Sequence, residues 1–119
     1  MTEHGFVYMD SPGYDPCSVT GQIASGANLV CFTTGRGSVS GYKPTPCIKL
    51  ATNSEMYRHM SEDMDLNCGD IVSEGMSVEA KGREIFEMWL KVASGAKTRS
   101  EELGFGGAEF VPWAMGAVM

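Results

Sequence analysis

A short glycine-rich segment with one arginine and two hydroxyl side chains carries the best local signal for chemistry. It reads Thr34-Gly35-Arg36-Gly37-Ser38 and directly follows an apolar run. The glycines allow backbone N–H groups to point into one space, and the guanidinium fork of Arg36 suits a carboxylate. The segment is neither G-x-G-x-x-G nor a P-loop, since it lacks the Gly-Lys-Ser/Thr ending. It predicts anion binding, the alternative being a plain turn with a solvated arginine.

Two aspartates further along the chain are candidate metal ligands. Asp63 and Asp65 alternate with apolar residues, so on a strand both side chains would face the same side. Such a pair could hold a divalent ion, although two acids on a solvated strand face are the commoner arrangement. An EF-hand is excluded because the glycine falls at Gly69 instead of at Cys68.

Lys49 is the candidate for proton transfer, because it stands in an otherwise apolar segment. We expect it at a strand end with its ammonium in solvent, and the alternative is a buried general base of lowered pKa. The two histidines, His4 and His59, have no nucleophile or base beside them in sequence, so a catalytic triad is not supported.

Strand and helix patterns alternate along the chain, which predicts an α/β fold with a mainly parallel sheet flanked by helices, Rossmann-like, in one domain spanning 1–119. The apolar run 28–34 lacks alternation, so we expect a strand covered on both faces with Cys31 buried as a small hydrophobe. The predicted strands are 6–9, 28–34, 47–52 and 65–67, and the predicted helices are 18–26, 53–60, 77–94 and 98–103.

Composition narrows the class of partner. The 119 residues hold 9 Lys+Arg against 15 Asp+Glu, a formal charge of −6, which argues against nucleic acid and against anionic membrane surfaces. No apolar run approaches the roughly 18 residues of a membrane span, and no signal peptide is visible. The four cysteines form no C-x-x-C motif, so we expect reduced thiols and a cytoplasmic location.

Ordered motifs along almost the whole chain resemble the altronate/galactarate dehydratase family, with the altronate dehydratases as the nearer branch. Large subunits of sulfolactate sulfo-lyases share the glycine loop and the Asp-Met-Asp segment but look less similar near the C-terminus. The motifs are Met9-Asp-Ser-Pro-Gly-Tyr-Asp-Pro16, Cys31-Phe-Thr-Thr-Gly-Arg-Gly-Ser38, Lys43-Pro-Thr-Pro46, Ile48-Lys-Leu-Ala-Thr-Asn53, Asp63-Met-Asp-Leu-Asn-Cys-Gly69, Ala93-Ser-Gly-Ala-Lys-Thr98, Glu109-Phe-Val-Pro-Trp113 and Gly116-Ala-Val-Met119.

The resemblance implies a hydro-lyase that dehydrates a sugar acid to a 2-keto-3-deoxy acid with a divalent metal, usually Fe(II). A base removes the proton α to the carboxylate, and the β-hydroxyl then leaves as water. We place the substrate carboxylate at residues 34–38, keep Asp63 and Asp65 as metal candidates, and keep Lys49 as the candidate base.

Length is where the chain departs from this family, because it matches only the C-terminal end of enzymes several times longer. We therefore expect a segment that is inactive alone and that associates with the missing N-terminal part of the enzyme or with itself. The alternatives are a non-catalytic binding or scaffold module and a fragment of a sulfolactate sulfo-lyase large subunit.

Overall fold

A computed structural model describes residues 4–111 and contains three strands and five helices in that range. The last motif of the resemblance, 116–119, lies outside the described residues. The elements in chain order are α1 (Asp15–Ala24), β1 (Val30–Thr34), β2 (Cys47–Ala51), α2 (Ser54–His59), β3 (Leu66–Asn67), α3 (Asp70–Ser73), α4 (Val78–Ala93) and α5 (Arg99–Glu102).

The three strands form one parallel sheet in the order β1-β2-β3. β2 lies in the centre and all five of its residues are buried. Val30 of β1 pairs with Cys47 of β2, and Leu50 of β2 pairs with Leu66 of β3. The parallel α/β class predicted from the sequence is confirmed.

The sheet separates two small apolar cores, because successive side chains of β2 point to opposite faces. Helix α1 packs on one face and α4 on the other. The first core consists of Val19, Val30, Tyr42 and Cys47, with Ile23 and Phe32 packed against it. The second consists of Ile48, Leu50, Leu66 and Val92, with Leu29, Cys68, Ile85 and Met88 packed against it.

Local capping signals in the sequence set the helix ends. The Asn53 side chain accepts a hydrogen bond from Met56 N at 2.8 Å and begins α2. Ser77 begins α4 in the same way, and Gly95, with φ of +102°, follows its C-cap. Thr98 opens α5 through a capping box. The predicted bounds of these three helices, 53–60, 77–94 and 98–103, are confirmed to within one residue at each end, because a cap depends only on residues within one turn.

Near the N-terminus the sequence predictions are wrong in two places. Residues 6–9 form no strand: Phe6 and Tyr8 are 99% and 81% exposed, and a β-prone run needs a neighbouring strand to pair with. Helix α1 begins at Asp15 instead of at Ser18, with a proline in its first turn. Proline is well tolerated there because an N–H group in the first turn has no acceptor within the helix, so its loss costs nothing.

Strand β1 is not covered on both faces, which corrects a further prediction. Cys31 and Thr33 are exposed, and only the alternate residues pack towards a core. The apolar run therefore belongs to an edge strand, half covered. Helix α3, a single turn, was not predicted. No disulfide is formed among the four cysteines in the described part of the chain. Within residues 4–111 no helix is long and apolar enough to cross a membrane.

Candidate functional site

The loops that follow β1 and β2 are joined at the carboxyl edge of the sheet. Thr52 donates to the Thr34 carbonyl through its backbone N at 2.9 Å and through its hydroxyl at 3.2 Å. Asn53 Nδ2 donates to the Gly35 carbonyl at 2.8 Å. The same asparagine caps α2, so one side chain fixes both a helix start and the glycine loop.

The glycine loop uses two of its own N–H groups internally. The Thr34 hydroxyl oxygen accepts hydrogen bonds from Arg36 N at 3.3 Å and from Gly37 N at 3.1 Å. These two N–H groups are therefore engaged within the loop, and anion binding by the loop stays a prediction. This turn shapes the loop, and the predicted anion binding depends on the Arg36 side chain.

Gly37 has a backbone conformation that favours glycine, and the Met60 side chain occupies the space beside it. Its φ is +88°, a region that glycine adopts at no steric cost, and a Cβ at this position would overlap the Met60 sulfur. Met60 follows the last residue of α2, so the loop lies directly against that helix.

A cavity of about 520 Å³ opens beside the loop, lined by Asp15, Phe32 and residues 33–38. The guanidinium of Arg36 is exposed there and makes no hydrogen bond or ion pair within the described part of the chain. Ser38 and Ser40 share a hydrogen bond between their hydroxyls at 2.7 Å. The cavity thus offers one cation and several hydroxyls, and Asp15 limits the positive potential.

Lys49 lies at the middle of β2 and is fully buried, so the expectation of a solvent-exposed strand end is wrong. Its Nζ has no hydrogen-bond partner among residues 4–111. Burial lowers the pKa of Lys49, and the negative charges of Asp65 and Asp63 oppose this only in part. The alternative prediction of a buried lysine of lowered pKa is confirmed, and its role as a base stays a prediction. Lys49 does not line the cavity beside Arg36.

Asp65 holds three segments together through its carboxylate. One oxygen accepts from Lys49 N at 2.7 Å, and the other accepts from Arg99 N at 2.8 Å. Burial raises the pKa of Asp65, while these two backbone hydrogen bonds act in the opposite direction. Asp63 is partly exposed, and its carboxylate makes no hydrogen bond or ion pair within residues 4–111. The two aspartates therefore differ: the Asp65 carboxylate links three segments, whereas the Asp63 carboxylate has no partner among the described residues.

The divalent metal implied by the resemblance finds no complete ligand set here. Among the described residues, no three His, Cys, Asp or Glu side chains are placed to hold a metal ion. Both oxygens of Asp65 already accept backbone hydrogen bonds. Residues 4–111 do not by themselves fit such a metal.

A second polar cluster at the carboxyl edge was missed by the sequence analysis. Asn67 Nδ2 donates to the Ser54 hydroxyl at 3.0 Å, and Ser54 shares a hydrogen bond with Ser73 at 2.8 Å. Gly69 N donates to Asn67 Oδ1 at 3.0 Å. The available signal was the placement of asparagine at the ends of two strands, Asn53 just after β2 and Asn67 in β3. The cluster is satisfied internally and ties β3 to α2 and α3.

The fold is that of an α/β protein with a parallel sheet, and its polar loops gather at the carboxyl edge, where open α/β sheets in general bind their ligands. Residues 1–118 match the family model described as D-galactarate/altronate dehydratase, C-terminal. The chain therefore belongs to the D-galactarate/altronate dehydratase family, as its motifs predicted.

Several curated relatives match the same region. The chain is 38% identical over 104 residues to galactarate dehydratase (L-threo-forming) of Escherichia coli K12, covering 87% of this chain and 20% of the relative. It is 35% identical over 103 residues to the (2R)-sulfolactate sulfo-lyase subunit beta of Chromohalobacter salexigens, covering 87% and 26%. It is 33% identical over 101 residues to altronate dehydratase of Bacillus subtilis, covering 85% and 20%. The chain spans a fifth to a quarter of these relatives.

Proposed function

We propose that this chain is the part of a sugar-acid hydro-lyase that binds the substrate carboxylate. The observation that carries the proposal is the unpaired guanidinium of Arg36 in the cavity of about 520 Å³ at the carboxyl edge of the sheet. A guanidinium binds a carboxylate through two parallel hydrogen bonds, which fixes the orientation of the acid. Ser38 and Thr33 stand beside it for the hydroxyls of a sugar acid.

Carboxylate binding also assists the chemistry of dehydration. Removal of the α-proton places additional negative charge on the carboxylate oxygens as the enediolate forms, so a fixed cation stabilises the transition state more than the ground state. The β-hydroxyl then leaves as water, and the enol tautomerises to the 2-keto-3-deoxy acid. Arg36 is thus the group of this chain that we place on the reacting molecule.

Lys49 is the candidate for the group that accepts the α-proton. Lys49 has the lowered pKa and the unpartnered nitrogen that a base needs. It lies outside the lining of the cavity, however, and is fully buried. We therefore propose that the isolated chain does not turn over substrate, and that an active arrangement requires further polypeptide of the enzyme.

The divalent metal implied by the resemblance would need ligands beyond the described residues. Because residues 4–111 hold no group of three ligands, we propose that a divalent ion such as Fe(II) would take most of its ligands from elsewhere in the enzyme. Asp63, whose carboxylate is not engaged in the described part, is free to add one ligand.

Two alternatives follow from specific observations. The 35% identity to a sulfo-lyase subunit supports sulfolactate, which also carries a carboxylate, as the ligand of the same cavity. A binding or scaffold module without chemistry is supported by the separation of Lys49 from that cavity.

Calorimetry on the purified chain tests the proposal. Altronate, galactarate and sulfolactate are titrated separately into the wild type, into Arg36→Ala and into the matched control Arg58→Ala, whose arginine is exposed on α2 and does not line the cavity. We expect a sugar acid to bind, and Arg36→Ala to weaken it by about 10-fold or more, the value of a charged hydrogen bond. Equal weakening by both variants, or binding of sulfolactate alone, would reject the sugar-acid proposal.

Activity of the isolated chain is measured in parallel. Keto-acid formation from altronate or galactarate is followed under reducing conditions with Fe(II) present and absent. We expect no turnover in either case. Turnover would contradict the claim that further polypeptide is required, while absence of any ligand binding would favour the scaffold alternative.

A further inference from the structure

Within residues 4–111 both outer strands of the sheet pair on one side only, and β1 is the longer of the two. In the described range, β1 pairs with β2 alone. Val30 N donates to the Pro46 carbonyl and the Thr34 carbonyl accepts from Thr52 N, so alternate residues of β1 face β2. The backbone groups of Cys31 and Thr33 consequently face the opposite side, where an additional strand would find them.

The flank of α4 beside this edge is apolar and unpacked. Phe86, Trp89 and Leu90 are 54%, 40% and 54% exposed, whereas Val92 on the inner face is 5% exposed. Trp89 Nε1 donates to Cys31 Sγ at 3.0 Å. That contact places the apolar flank directly against the open strand, so the two form one continuous surface, defined here as the β1–α4 surface.

A surface with backbone donors along one side and aromatic side chains along the other fits a β-strand carrying apolar residues. The strand would satisfy the free backbone groups of β1, and its side chains would cover the helix flank. A lone amphipathic helix would leave the backbone groups of Cys31 and Thr33 unpaired.

We propose that the β1–α4 surface binds a β-strand from the portion of the dehydratase polypeptide that has no counterpart in this chain. This rests on the proposed function in one respect, since it takes the chain to work within a longer enzyme. The matched relatives support that occupant: this chain covers only 20% of the galactarate dehydratase and altronate dehydratase sequences. A second copy is disfavoured because each chain has a net charge of −6 and two copies repel.

The first test compares the thiol reactivity of Cys31 in two settings. In the isolated chain, Cys31 is exposed, while partial burial of its thiol raises the pKa of Cys31, so the alkylation rate of the isolated chain is measured as the reference. In a chimera where this chain replaces the matched fifth of the E. coli enzyme, we expect alkylation about 10-fold slower or more, because strand pairing buries β1. Peptide mass spectrometry follows Cys31 separately from the other cysteines.

A second test does not depend on the folding of the chimera. The unmatched portion of the E. coli enzyme is supplied as a separate polypeptide, and its affinity for this chain is measured. We expect Leu90→Asp to weaken binding about 10-fold or more, as expected for a charge placed in an apolar contact. Val72→Asp is the matched control, because Val72 is 89% exposed on α3, outside the β1–α4 surface.

The outcomes separate the two proposals. Slow alkylation of Cys31, or selective weakening by Leu90→Asp, supports the interface even when the chimera converts no galactarate, in which case the proposed activity fails. If the chimera is active and its Cys31 is still alkylated rapidly, the proposed interface is wrong and the proposed activity is supported. Two further outcomes overturn the proposal. One is dimerisation of the isolated chain that Leu90→Asp abolishes and Val72→Asp does not. The other is the absence of any association between this chain and the separate polypeptide.

Discussion

At the scale of single residues, the unusual group is a lysine in the centre of an apolar sheet. Lys49 is fully buried and its ammonium has no partner in the described residues. A buried cation without a partner costs free energy unless it loses its proton, and burial lowers its pKa for this reason. Because Lys49 lowers the stability of the fold, a functional role explains its presence better than a structural one. This agrees with the prediction that Lys49 is the base.

Replacement of Lys49 by methionine gives the first stability prediction. Methionine keeps the unbranched shape and removes the ammonium, so we expect the folded chain to gain about 1 kcal/mol at pH 7. Folding lowers the pKa of Lys49 from 10.5, so at pH values just below 10.5 the unfolded chain binds more protons than the folded chain. In this pH range the contribution of Lys49 to the free energy of unfolding therefore rises with pH.

Urea denaturation at pH 7 and pH 10 measures the effect of Lys49→Met. The thiols also titrate in this range, but they are common to both proteins, so the difference between wild type and variant isolates the lysine. We expect the advantage of the variant to shrink at pH 10. An advantage that grows with pH would contradict a lowered pKa.

The two aspartates give a matched pair for a second prediction. Asp65→Ala removes the acceptor of both Lys49 N and Arg99 N, and we expect a loss of about 1–3 kcal/mol, mainly from the part-buried Lys49 N, because Arg99 N is exposed and can bond to water. Asp63→Ala removes no hydrogen bond in the described part, and we expect a change within about 0.5 kcal/mol. Chemical denaturation compares the two, and similar losses would show that Asp65 is no special anchor.

At the scale of elements, the glycine loop and helix α2 form one unit. Gly37 and Gly26 both have positive φ, but only Gly37 has side-chain atoms of Met56 and Met60 where a Cβ would be. We expect Gly37→Ala to cost about 1 kcal/mol more than Gly26→Ala, since backbone strain is common to both and the clash is not.

Thermal denaturation of the two alanine variants tests this element-scale prediction. Calorimetric titration with the sugar acid that binds the wild type adds a functional readout, because displacement of the loop moves Arg36. Equal melting temperatures for Gly37→Ala and Gly26→Ala would mean that the loop does not press on α2.

At the scale of the whole molecule, the two sides of α4 have different surroundings. Val92 is buried in the core behind the sheet, whereas Phe86 is half exposed on the β1–α4 surface. We expect Val92→Ala to lower stability by about 1–3 kcal/mol and Phe86→Ala to change it by less than about 0.5 kcal/mol in the isolated chain. Urea denaturation checks both, and a large loss for Phe86→Ala would show that this flank is already packed.

Short-range signals were sufficient for much of the fold. The bounds of α2, α4 and α5 and the alternation of strand and helix depend on residues close in sequence, and they were predicted correctly. The site was predicted less well. The placement of Arg36 after a strand could be read directly, but the capture of the loop N–H groups by Thr34 could not, because a hydroxyl can bond to a ligand or to its own turn.

The sequence by itself determined the parallel α/β class, the family and the position of the glycine loop, because periodicity, caps and ordered motifs are written in adjacent residues. Only the tertiary structure decided the burial of Lys49, the anchoring of Asp65 and the open edge at Cys31. The physical reason is that burial and pairing depend on which distant segments cover a residue. An apolar strand looks the same in sequence whether one neighbour or two lie beside it.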